Sequence, residues 1–80
     1  MRDEIISMLK PTLIDIIKDY GKHQHGVIAI SYIKLFAELE QRVGVIFRSI
    51  FVSKFITHDD SFDMYFASTD SGSRYYVALN

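Results

Sequence analysis

Eighty residues carrying nine Lys and Arg against ten Asp and Glu, a formal net charge of −1, make a single domain spanning residues 1–80. Apolar residues are 49% of the chain, with six Phe and five Tyr, which excludes wholesale disorder, although a chain of this size buries only ~60% of the surface its unfolded form exposes. The lack of cysteine excludes disulfides and thiolate metal sites, no apolar run approaches the ~18 residues of a membrane span, and the acidic Asp3-Glu4 pair is unlike a secretory signal, so no membrane contact and a cytoplasmic location are expected.

Residues 3–20 place apolar side chains at 5, 6, 9, 13, 16, 17 and 20, steps of one, three and four that trace one helical stripe. Pro11 interrupts it, because proline removes an amide donor and disfavours helical geometry at Lys10. The first helix is therefore expected to be kinked at Pro11, or split with Pro11 opening a second piece, and Gly21 to cap its end. Gly21–Gly26 reads as a loop, and Val27–Ile30 as a short strand.

Ser31 offers a hydroxyl to cap a second helix beginning at Tyr32. Ile33, Phe36, Ala37 and Leu39–Glu40 are expected on its apolar side, with Lys34, Glu38 and Gln41 toward water. The helix runs out at Val43, and Gly44 supplies the residue without a Cβ that a sharp turn between helices needs.

Residues 45–57 are ambiguous. Val, Ile and Phe have strand propensity, yet thirteen residues without a turn signal exceed the ~5–6 of an average strand, and helical spacing gives the cleaner partition. On a helix, Phe47, Ile50, Phe51 and Phe55 share one side, expected to be the core. Val45, Arg48, Ser49, Val52, Ser53 and Ile56 share the other, expected to be exposed. Beyond the polar break at His58–Ser61, Phe62–Ser68 and Arg74–Leu79 flank a short Asp/Ser/Gly turn and read as a β-hairpin. Phe62, Met64 and Phe66 share one face of its first strand. The partner face is either Tyr76 and Ala78 or Tyr75, Val77 and Leu79.

The charges are unevenly spread. Between Gln41 and His58 there are three bases, Arg42, Arg48 and Lys54, and no acid, so a chain of near-zero net charge can still present one positive face. His23, His25 and His58-Asp59-Asp60 have metal-ligand chemistry, but nothing in their spacing brings them together. No nucleophile, phosphate-cradling loop or paired-carboxylate pattern accompanies them, and neither an enzyme nor a cofactor is expected. The five tyrosines fit the core rim and cross-strand pairs better than base-stacking platforms.

The order helix, short strand, helix, glycine turn, helix, hairpin resembles the winged helix-turn-helix family over about residues 5–80. Val27-Ile28-Ala29-Ile30-Ser31, Gly44 and the hairpin with Asp70-Ser71-Gly72-Ser73 at its tip carry the likeness. The resemblance implies an α+β fold of three helices with a hairpin wing, and a small transcriptional regulator binding double-stranded DNA. The third helix would enter the major groove, which is ~12 Å wide. Arg48, Ser49 and Ser53 would face the bases, while Lys34, Arg42, Lys54 and Arg74 would contact phosphates. It also implies a homodimer, and the stripe Ile5, Ile6 and Leu9 is either core or the seam of that dimer. The alternative is a winged-helix module that docks onto a protein partner through Val45, Val52 and Ile56 or the N-terminal helix.

Overall fold

The computed structural model describes residues 8–24, 26–44, 46–70 and 72–80. Among them are three helices, α1 (Lys10–Tyr20), α2 (Tyr32–Val43) and α3 (Ser49–His58), and four strands, β1 (Lys22–Gln24), β2 (Val27–Ser31), β3 (Phe62–Thr69) and β4 (Gly72–Leu79). The fold is α+β, with an antiparallel sheet of order β1-β2-β4-β3.

Pro11 sits in the first turn of α1, where an amide donor would go unused. Residues 1–7, which include Ile5 and Ile6 of the N-terminal stripe, lie outside the described residues. Leu13, Ile16 and Ile17 are the buried stripe of α1. The chain then meets Gly21, whose φ of −69° is ordinary. Glycine is needed there for space, since a Cβ would stand 2.4 Å from the Ile17 carbonyl oxygen and 2.8 Å from Ile28 Cγ1. The expected loop at 21–26 instead contains β1, paired to β2 with Lys22 opposite Ala29. Its three residues carry no apolar alternation, so their pairing arises from β2 alongside them.

Ser31 caps α2 as expected, its Oγ accepting from the Lys34 backbone N–H at 3.3 Å. At the other end Gly44 adopts a φ of +76°, the left-handed geometry that suits glycine, and donates to the Glu40 carbonyl at 2.8 Å. The inward stripe of α2 is Leu35 and Leu39, one turn apart. Ile33, expected inside, is 73% exposed.

The β3–β4 hairpin decides which set of β4 side chains faces the helices. Phe62 pairs with Leu79, Met64 with Val77 and Phe66 with Tyr75, and Phe62 and Val77 join Ile30 of β2 in the core. The core lies between this sheet face and the helices, filled by Leu13, Ile16, Ile17, Leu35, Leu39, Val52 and Ile56. Tyr65 stacks on Tyr76 with centroids 5.8 Å apart, and Phe66 lies 4.9 Å from Tyr75, so these four rings form cross-strand pairs.

Candidate nucleic-acid interface

The segment from 45 to 57 is helical from Ser49 onward, with residues 46–48 as connection. Its rotation corrects the sequence-based face assignment. Val52 and Ile56, expected to be exposed, are fully buried, while Ile50, expected in the core, is 58% exposed. Phe51 and Phe55 are half-buried at the margin. The physical reason is the composition of α3, which carries apolar residues on two adjacent arcs. Burying the compact Val52–Ile56 arc against the core leaves the Phe rings to cover its edge, with Phe55 packing edge-on against Phe62 at 6.2 Å. The outward arc is then Ile50, Lys54 and Thr57, spaced four and three residues apart, all exposed.

The seven candidate contact residues separate into three groups. Lys34 and Arg42 lie on α2, both near the ring of Tyr20 at the end of α1. The Lys34 ammonium stands 4.9 Å and the Arg42 guanidinium 5.8 Å from the Tyr20 ring centre. Each is also paired to an acid: Lys34 Nζ with Glu38 Oε1 at 3.2 Å, and Arg42 Nη2 with Asp19 Oδ2 at 2.8 Å. The Asp19 hydrogen bond pushes the Arg42 guanidinium pKa up. Their charge is compensated locally, which Asp19, 23 residues away in the chain, could not reveal from sequence.

Arg48, Ser49, Ser53 and Lys54 belong to α3. Arg48 is its N-cap residue and is exposed, as is Lys54, and no described residue pairs with either charged side chain. The two serines are less available than expected. Ser49 is exposed, but its carbonyl oxygen accepts from the Tyr32 phenol at 2.7 Å and its hydroxyl lies 2.9 Å from the phenol oxygen of Tyr32. Ser53 is half-buried and its hydroxyl donates to the Ile50 carbonyl at 3.1 Å, closing on its own helix. Arg74 stands apart on β4, opposite Ala67, on the sheet face away from the helices.

Two residues to which the sequence assigned no part in this site hold the start of α3. Tyr32, at the first position of α2, reaches Ser49 at the first position of α3; partial burial raises its phenol pKa. Glu40, in the last turn of α2, accepts the Phe47 backbone N–H at 3.1 Å. An acid at a helix C-terminus opposes the macrodipole. That mismatch is the one sequence signal that Glu40 has a specific partner.

Among the described residues, which do not include His25, no three His, Asp or Glu side chains converge as a metal site would need, and no helix is long and apolar enough to cross a membrane. No family model matches the chain, and no similar curated protein or solved structure was found.

Proposed function

We propose that this chain is a winged-helix DNA-binding protein acting as a small transcriptional regulator, with α3 entering the major groove and the β3–β4 hairpin lying along the backbone as the wing. The observation that carries this reading is the placement of uncompensated charge. Lys34 and Arg42 are neutralised beside Tyr20, whereas Arg48 and Lys54, two candidate cations with no acidic partner among the described residues, cap and lie on the helix that follows the glycine turn. The strand order β2-β4-β3, with α2 and α3 inserted between β2 and β3, supports the same architecture. Arg48 is the residue best suited to reach guanine, since its fork of donors matches O6 and N7. Lys54 and Arg74 serve as phosphate contacts, and the serines contribute less than their sequence positions imply, because their hydroxyls are occupied.

A second reading rests on Ile50, which occupies the outward arc of α3, and Ile46, 89% exposed in the connection before it. A protein partner could dock on these two. Val52 and Ile56 are buried and can take no part.

Fluorescence anisotropy with a mixed-sequence duplex at about 50 and about 200 mM salt tests the first reading. Neutralising Z phosphates gives a slope of about −0.9Z in log K against log salt, so two or three cations predict a slope of about −2 to −3. Arg48→Ala should weaken binding to a selected site by about 1–3 kcal/mol. Absence of binding at low salt would sink the DNA reading and leave the Ile46–Ile50 surface as the one to pursue.

A further inference from the structure

The outer edge of β3 is a sheet edge with no strand beside it among the described residues, and the hydrogen-bond phase of β3 is fixed from both sides. Asn80 N–H donates to the Ser61 carbonyl at 3.0 Å, so odd-numbered residues turn their main-chain groups toward β4; Phe62 N–H instead donates backward to the Asp59 carbonyl at 3.2 Å. Alternation then points the N–H and C=O of Met64, Phe66 and Ser68 outward, where no described residue pairs with them. The same edge carries Phe66, 60% exposed, against Tyr75, 54% exposed, beyond the part of the sheet that the helices cover. β3 has no proline and one charged residue, Asp63, so its own sequence supplies little of the usual protection of an edge strand.

We propose that β3 pairs antiparallel with β3 of a second copy of this chain about a two-fold axis at Phe66, making one eight-stranded sheet. The pattern is self-complementary. With Phe66 opposite Phe66 of the second copy, Met64 faces Ser68 and Asp63 faces Thr69, so no like charges meet. The outward main-chain groups of each copy find partners, and the two Phe66–Tyr75 pairs merge into a cluster of four rings. An aromatic side chain presents ~150–250 Å² in full, so four half-exposed rings supply on the order of 400 Å². Together with the paired edges this belongs to the small class of interfaces. The dimer is therefore concentration-dependent. It stands whether or not the chain binds DNA.

Sedimentation velocity over about 10 μM to 1 mM is expected to show a shift from the 9.3 kDa chain to twice that mass. Phe66→Lys should hold the protein monomeric across that range. So should Ser68→Pro, which removes an outward amide that β4 does not use and so keeps the backbone ladder of the hairpin, at the loss of the 2.8 Å hydroxyl contact with Ser73; circular dichroism checks that both variants fold. Because the sequence has no cysteine, Phe66→Cys introduces a single thiol. Facing Cα atoms in such a hydrogen-bonded pair lie ~5.5 Å apart, within disulfide reach, so oxidation should cross-link that variant and leave Asp63→Cys uncross-linked. A monomer at every concentration would overturn the proposal. So would a dimer that survives both disruptive substitutions, or equal cross-linking at positions 63 and 66.

Discussion

The Tyr32 phenol donates to the Ser49 carbonyl oxygen at 2.7 Å, joining the first residue of α2 to the first residue of α3 across 17 positions of chain. With the Glu40 carboxylate on the Phe47 N–H, it fixes where α3 starts and how it leaves the turn. Tyr32→Phe keeps the ring and its contact with Phe36 while deleting the bond. A loss of about 0.5–1.5 kcal/mol in urea unfolding is expected, with faster amide exchange at Phe51 and Val52, whose N–H groups bond to the Arg48 carbonyl. Unchanged exchange there would show that the turn is held by Glu40 and packing alone.

The rotation of α3 is open to a paired test. Ile56→Ala deletes a fully buried side chain and should cost about 2–5 kcal/mol. Ile50→Ala, on the outward arc, should stay within about 0.5 kcal/mol. Equal costs in chemical denaturation would mean that the helix is not oriented with Ile56 inward.

Gly21 and Gly26 are expected to respond to alanine for different reasons. At Gly21 the new methyl would collide with the backbone oxygen of Ile17, which cannot swing away as a side chain would, so about 1–3 kcal/mol is expected. At Gly26 nothing lies within 4 Å and the cost is that of φ +78° alone, about 1–2 kcal/mol. Only the Gly21 variant should also shift the resonances of Ile17 and Ile28, which NMR would reveal.

Asp59 gives a pH dependence whose sign follows from its contacts. The Ser61 backbone N–H at 2.9 Å holds its carboxyl below the usual aspartate value of 3.8, with Lys10 Nζ at 3.1 Å adding to the effect. Because the folded value is depressed, its contribution to stability is complete above the unfolded value of 3.8 and is lost as pH falls from there through the folded one. Asp59→Asn should flatten that part of the stability profile in thermal melts between about pH 5 and 2. A profile identical to the parent's would place the acid sensitivity at other carboxylates.

Local chemistry written into short stretches was legible without coordinates. Ser31 and Gly44 bracket α2 because a cap hydroxyl and a left-handed glycine act within a few bonds of the helix they delimit. Pro11 fits the first turn of α1, and the hairpin follows from two runs of β-formers around Asp70 and Gly72. The acid-free charge of residues 42–57 was likewise plain. Tertiary structure alone decided which arc of α3 is buried, since apolar residues on two neighbouring arcs leave its own periodicity without a unique answer until Leu35, Leu39 and the sheet supply the surface to pack on. It also decided which cations remain available: Arg42 meets Asp19 only because α1 and α2 lie side by side, while Arg48 and Lys54 have no such neighbour among the described residues. Short-range rules set the elements, and the long-range juxtapositions that no periodicity encodes set the exposed chemistry.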